Sequence, residues 1–263
     1  MTQPELWIQI RTGEVRQEPF LVEHGPATFG WDPACDIVLR TDANSSRHMG
    51  TLVPDGTGWW LVNPVHAAEV TSPIEASPYR PATRRFLAPL YVRPEDIREV
   101  AYLTPAERAL VEAAREPVAA TDDDPTRIDR DAVWAAKRAA LDAIFLAPLS
   151  PGRAAELAAF SAREGQPLQD FALWCALEEH YEGAERPAEA WDIDSPLVEA
   201  LRAQLADRVR FHVWLQWICD QQLERAQAAA QASGMAIGVM HDLAVGVHPL
   251  GSDAWSLRDM YAQ

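Results

Sequence analysis

The sequence predicts an α/β fold: a strand of a parallel barrel preceded by a long helical region, with a small partial β-sandwich in front. Three observations carry this. Residues 5 to 62 hold short β-rich runs, ELWIQI, EPFLVEH, PATFGW, CDIVL, GTLVP and GWWLV, parted by Gly, Pro, Asp and Asn turns. Residues 104 to 234 carry helix start and stop signals around apolar positions at helical spacing. Ser233 to Trp255 then reads as the end of a helix, a glycine, a buried strand over Met235 to Met240, and polar residues.

The elements follow in order. Six short β-rich runs within the first 62 residues point to a sandwich. From Val62 to Arg93 a strand gives way to an irregular stretch, because Pro64, Pro73, Pro78, Pro81 and Pro89 forbid a continuous helix or central strand. Long irregular loops on a rigid scaffold commonly bind something. Thr104-Pro105-Ala106-Glu107 is a capping box, Asp124-Pro125 opens a helix to about Phe145, and Ser150-Pro151 opens another that Gly165 ends. Pro167 to Gly183 gives a further helix with Phe171, Trp174, Cys175, Leu177 and Tyr181 at helical spacing. The pattern from Ser195-Pro196 to Gly234 is too long for one globular helix and is split near Asp207; its stripe of Phe211, Trp214, Trp217 and Ile218 reads as core. The acidic runs Thr121 to Asp124 and Glu185 to Asp194 read as solvated linkers.

Asp242 closes the last strand pattern. Polar groups at the carboxyl end of a parallel strand face the substrate in barrels, which makes Asp242 a site carboxylate; a turn former or helix N-cap is the competing reading.

Composition narrows the function. The chain has 263 residues, 48% of them hydrophobic, enough for a sizeable core. A formal charge of −16 without a basic stripe argues against nucleic-acid and anionic-membrane partners. Cys35, Cys175 and Cys219 are far apart and lack CxxC or His-spaced partners, so neither a disulfide framework nor a metal site is expected, and the thiols read as reduced and buried. The amino-terminal residues lack a secretory pattern and no apolar run reaches the ~18 residues of a membrane span, which gives a cytoplasmic location. Most of the ten tryptophans are expected in the core.

The wording of the last segment, GMAIGVMHDLAVGVHPLGSDAW, closely resembles an inner-strand segment of the 4-alpha-glucanotransferases, the amylomaltases of glycoside hydrolase family seventy-seven. LVNPVHAAE (Leu61 to Glu69), ASPYRPATRRF (Ala76 to Phe86) and PLYVR (Pro89 to Arg93) resemble that family's substrate-site region, and IDRDAVWAAKRAAL, FSAREGQPLQDFALWCAL and FHVWLQWICDQQLERAQ its helical insert. The resemblance covers about residues 61 to 263. It implies an incomplete (β/α)8 TIM-type barrel segment over 62 to 263 with a helical insert at 104 to 234. It also implies transfer of alpha-1,4-glucan segments between maltodextrins without cofactor or metal. Ser77 and Tyr79 carry over as sugar contacts, with Arg85 and Phe86 as the loop's support; His66, His241 and Asp242 are carried as further substrate-binding residues. Ala88 departs from the Asn common there.

Residues 1 to 61 are a separate region. ATFGWDPACDIVLRTDANSSRHMGTLVPDGTGWWLV resembles half of a forkhead-associated, phosphothreonine-binding domain, in which Ser45 and His48 match a phosphopeptide-contacting element. Trp31 stands where the phosphate-binding Arg belongs, so little phosphopeptide binding is expected.

Retaining glycosyl transfer needs two carboxyl groups ~5 to 5.5 Å apart. The family's nucleophile stands in an Arg-Ile-Asp-His word, but Arg127-Ile128-Asp129 is followed by Arg130 at the head of a helix, so Asp129 reads as a helix-start acid. Glu95-Asp96-Ile97 matches a surface word. No catalytic residue is therefore assigned; the family's nucleophile Asp, acid Glu and third, stabilising Asp are all expected beyond Gln263, and this chain alone is expected to be inactive. A phosphothreonine-binding module and an inactive glucan-binding fragment are the alternatives.

Overall fold

The computed structural model describes residues 80–119, 129–182, 184–242 and 244–260, apart from the side chains of Asp242 and Asp259. Before residue 80 it describes the backbone of the strands named below. The chain divides into two compact units, one formed by Met1–Val65, Val118–Asp129 and Leu223–Asp242, the other by His66–Pro117, Arg130–Gln222 and Leu243–Gln263.

The first unit holds the β structure. Strands β1 (Leu6–Ile8) and β4 (Phe20–Val22) pair antiparallel, as do the short β2 (Arg11–Thr12) and β3 (Val15–Arg16). A five-stranded mixed sheet follows, with β5 (Ala27–Gly30), β6 (Ile37–Val38), β7 (Gly50–Pro54), β8 (Trp59–Pro64) and β9 (Gly238–Asp242) in the order β6-β5-β7-β8-β9. The predicted β-rich runs coincide with strands. β7, β8 and β9 are hydrogen-bonded neighbours, so the sheet continues through residue 61, where the wording of the sequence changes.

β9 starts later than the apolar run implies. The strand expected over Met235 to Met240 begins at Gly238, whose φ of 89° suits glycine and whose Cβ, were there one, would lie 2.5 Å from the Gln227 Oε1 atom. Gln227 donates to Ile237 O at 2.7 Å and accepts from Val239 N at 2.6 Å, giving the strand's entry an amide partner. Nor is the expected strand buried: Ile237 is 36% and Met240 37% exposed.

The second unit is helical and contains the described core. Its helices are α1 (Pro105–Ala113), α3 (Arg130–Phe145), α4 (Pro151–Glu164), α5 (Gln166–His180), α6 (Pro196–Gln204) and the short α8 (Ser252–Ser256), together with α7 (Ala206–Ala232) as far as Gln222. The four-residue helix α2 (Glu116–Ala119) lies where the units part. Sequence signals set the ends. Thr104 and Glu107 form the reciprocal capping box, Ser150 and Ser195 cap α4 and α6 with Pro at the first helical position, and Gly165 takes φ 65° where α4 stops and α5 starts. The expected break near Asp207 falls at Leu205, between α6 and α7. The expected opening of α3 at Asp124-Pro125 and the acidic run 121–124 lie outside the described residues.

α5 is apolar all round. Leu168, Phe171, Leu173, Trp174, Cys175 and Leu177 are all buried, which makes α5 a central rather than a peripheral helix. The α7 stripe of Phe211, Trp214, Trp217 and Ile218 is core as its spacing predicts. Phe86 stacks on Phe171 with ring centroids 4.7 Å apart, and Phe145 meets Phe211 edge-on at 5.4 Å.

The run Glu185 to Asp194 is solvated at its acids, Glu185, Glu189, Asp192 and Asp194 all being exposed, but it is not a plain linker: it forms a 3-10 turn over Ala188–Trp191 with Ala190 fully buried. Arg186 is the cause: its guanidinium bonds Glu178 and Ala190 O at 2.7 Å each and sits 4.1 Å over the Trp191 ring. Among the described residues no helix is long and apolar enough to cross a membrane, and no cluster of His, Cys, Asp or Glu is placed to hold a metal ion.

Candidate functional site

The parallel pairing of β8 and β9 sets Asn63 opposite His241 and Pro64 opposite Asp242. Both strands run the same way, so their carboxyl ends share one edge of the sheet. Strand ends of this kind are where parallel sheets present polar side chains to ligands. β9 ends at Asp242, and His241 is exposed there. Residues from two distant parts of the sequence, the Asn-Pro word and the His-Asp word, are thus brought side by side. His66 follows β8 by two residues but lies outside the described residues, as do Ser77, Tyr79, Ser45 and His48.

In the helical unit the segment that follows Tyr79 is described from Arg80 onward and is held at several points. Arg85 donates to Glu164 O and to the Glu164 carboxylate at 3.2 and 3.3 Å, while Phe86 packs on Phe171. Gln216 donates to Leu87 O and accepts from Leu87 N at 2.8 and 2.9 Å, and Gln222 repeats the pattern on Arg93 at 2.8 and 2.9 Å. An amide side chain thereby stands in for a neighbouring strand, satisfying the donor and acceptor of one extended residue. Ala88 heads the 3-10 turn Pro89–Tyr91 without a side-chain cap, the consequence of lacking the Asn common there.

Residues 248 to 253 close on the same segment. His248 N donates to Pro81 O at 2.8 Å, Asp253 N to Ala82 O at 3.2 Å, and Arg84 N to Asp253 Oδ2 at 2.8 Å. These contacts were not anticipated from the sequence. Only the Gln216 contact to Leu87 had a signal, Gln216 within the apolar run WLQWIC, since a polar residue on a core stripe needs a partner.

Three carboxylates of the helical unit, buried Glu99 and partly buried Glu178 and Glu179, are committed to arginines, whereas buried Asp253 accepts from the Arg84 N–H. Glu99 takes a two-pronged contact from Arg153 at 2.8 and 3.1 Å, and that guanidinium also lies 3.9 Å over Trp217. Burial works against charge on Glu179, yet His212 and Arg208 beside it hold its carboxyl down to about 2. Burial lowers the pKa of His212, so the ring is neutral at pH 7, and its Nε2 lies 3.1 Å from the Glu179 Oε1 atom. For Glu178 and Arg186, 2.7 Å apart, burial outweighs pairing, raising the acid and lowering the base. Burial also pushes the Cys219 thiol up to about 12 and that of Cys175 well above its ordinary value, which leaves both unreactive.

The fold and the strand-end geometry define an α/β protein of the glycoside-hydrolase type. It is similar to amylomaltase from Corynebacterium glutamicum, with a TM-score of 0.62 and 42% identity over 76% of this chain and 27% of that one. It shares the fold of amylomaltase from Streptococcus agalactiae, solved in complex with acarbose, with a TM-score of 0.61 at 14% identity over 77% of this chain and 39% of that one. A family profile described as 4-alpha-glucanotransferase matches residues 44–263, and the chain belongs to that family. It is 47% identical over 216 residues to the 4-alpha-glucanotransferase of Mycobacterium tuberculosis and 26% identical over 224 residues to that of Haemophilus influenzae. It spans 30% and 32% of the length of these relatives.

The match begins at residue 44 rather than 61, and so takes in Ser45 and His48. The comparisons lend no support to a forkhead-associated half.

Proposed function

We propose that this chain is a glucan-holding portion of a 4-alpha-glucanotransferase, which moves alpha-1,4-glucan segments between maltodextrins. The observation that carries the reading is the parallel register that puts Asn63 beside His241 and Pro64 beside Asp242, within a family match that spans both strands. In this reading β8 and β9 are neighbouring strands of a (β/α)8 barrel, and residues 104 to 234 are its insert. His66, Ser77, Tyr79, His241 and Asp242 grip the sugar, the Tyr79 ring by stacking and the others by hydrogen bonds. Buried Glu99 and partly buried Glu178 and Glu179 are tied to arginines, which favours structural roles for them. The chain then grips glucan without itself breaking the glycosidic bond.

Residues 1 to 43, which precede the family match, are a separate region in this reading. The family match over Ser45 and His48 favours assigning both to glucanotransferase sequence over a phosphothreonine cradle.

The test is native electrophoresis of the chain in gels containing amylose, with incubation on maltotriose alongside. Retardation by amylose with no glucose or longer oligomers is expected. Unretarded migration sinks the grip; appearance of products shows that the bond-breaking acids lie within these 263 residues.

A further inference from the structure

We propose that Gln227 guards the outer edge of β9 against pairing with a second copy of this chain. β9 ends the five-stranded sheet, with β8 on its inner side in the register Trp60↔Gly238 to Pro64↔Asp242. Along a strand, successive peptide groups point to opposite edges. Gln227 donates to Ile237 O at 2.7 Å and accepts from Val239 N at 2.6 Å, so one amide reaches both and they share an edge. The Val239 N–H taken by Gln227 is not available to β8. Ile237 and Val239 therefore present these groups on the outer edge, and the peptides of Gly238, Met240 and Asp242 face β8. Gln227 sits where the first residue of a further strand would bond.

The composition of this edge is what calls for a guard. Met235 to Met240, MAIGVM, holds neither a charge nor a proline. A formal charge of −16 keeps copies of the chain apart in general, but this run carries none of it. Ile237 and Met240 are both more than a third exposed. An exposed apolar edge strand is a template for another chain, and identical short runs low in charge stack on one another. That chemistry selects the same run of a second copy as the partner. The Gln227 amide blocks it by occupying the entry donor and acceptor in advance. Gly238 makes the block possible, since a Cβ there would lie 2.5 Å from the Gln227 Oε1 atom. Gln216 and Gln222 make the same contact on Leu87 and Arg93 inside the helical unit; Gln227 turns it on a sheet edge. The guard operates whether or not the chain holds glucan.

The experiment is sedimentation velocity of the full chain over a range of concentrations, for wild type, Gln227→Leu, Gln227→Ala and the double substitution Gln227→Ala with Met240→Lys. Hydrogen exchange at Val239 and helical circular dichroism are recorded on each. Gln227→Leu strips both backbone groups of their partner, so Val239 exchange is expected to quicken about tenfold and the sedimentation rate to rise with concentration where that of wild type does not. Gln227→Ala, a substitution well suited to a helix, should do the same and keeps the inference testable if Gln227→Leu fails to fold. Met240→Lys puts a charge on the edge strand and should return the double variant to the wild-type rate. Wild-type sedimentation in a folded single variant overturns the guard, whether or not Val239 exchanges faster. Wild type that associates as strongly as the variants overturns it as well. Association undiminished by Met240→Lys puts the contact elsewhere and overturns it too.

Discussion

Glu179 of α5 and Arg208 of α7 meet in a two-pronged ion pair, 2.6 and 2.8 Å, where the central helices are joined. Asp142 of α3 takes a third bond from the same guanidinium at 2.7 Å, so one arginine ties three helices. The Glu179 side chain is 9% exposed, and His212 behind it is buried and neutral. Removing one partner of a buried pair leaves the other's charge uncompensated. Glu179→Gln is therefore expected to lower the stability of the helical unit by about 2 to 4 kcal/mol, read from the urea midpoint of tryptophan fluorescence. A change under about 0.5 kcal/mol would mean that Asp142 alone satisfies Arg208.

Acid should weaken this unit already below the unfolded imidazole value of ~6.5. Glu179 is held at about 2, so its contribution is present above the unfolded value near 4.5 and lost as pH falls toward 2. His212 is kept neutral by burial, so below its unfolded value of ~6.5 protons favour the unfolded chain. In both cases the unfolded state binds more protons, and stability falls with falling pH. Glu178, raised by burial, acts the opposite way and softens the slope. The urea midpoint should decline from pH 7 to pH 4, and less steeply in His212→Gln; a midpoint that holds level contradicts this.

Gln216→Leu tests the surrogate-strand contact. The substitution fits the apolar stripe but strips the Leu87 N–H and C=O of their partners at once. About 1 to 3 kcal/mol should be lost despite the more apolar side chain. Faster hydrogen exchange at Leu87, with Arg93 unchanged under Gln222, localises the effect; a stabilised protein would refute it.

Two glycines at positive φ should respond differently to alanine. Gly234, at φ 101°, faces open space, so Gly234→Ala carries backbone strain of about 1 kcal/mol. Gly238, at φ 89°, has the Gln227 amide where a Cβ would go, so Gly238→Ala adds the loss of the bonds to Ile237 and Val239. Exchange protection of Val239 should collapse in Gly238→Ala and persist in Gly234→Ala. Equal effects would remove Gln227 from the account.

Buried thiols give a simple check. Iodoacetamide at pH 8 should leave Cys175 and Cys219 unmodified in the folded chain and alkylate both in urea, because burial holds each in the thiol form. Modification of Cys219 in the folded chain at the rate of a free peptide would place its helix face in solvent.

What could be read in advance followed local chemistry. Thr104-Pro105, Ser150-Pro151 and Ser195-Pro196 announce helix starts because a hydroxyl cap and a fixed φ act within one turn. The Phe211 to Ile218 stripe was legible because burial follows spacing. Long-range pairing was not. Nothing near Glu185 shows that Arg186 will bury itself between Glu178 and Trp191, and nothing near Asp253 shows that Ala82 will receive it. The start of β9 was misjudged because periodicity counts apolar residues, whereas Gln227, on the preceding helix, decides where pairing begins. Asp242 was legible as the end of a strand; its neighbours Asn63 and Pro64 became visible only through the register.

The most direct measurement is maltoheptaose titration of the intact chain and of His241→Ala by calorimetry. Saturable binding that weakens at least fivefold in His241→Ala, with unchanged far-ultraviolet circular dichroism, is the predicted result. Equal affinity in the two proteins, or no binding in either, would contradict a glucan grip at the shared carboxyl edge of β8 and β9.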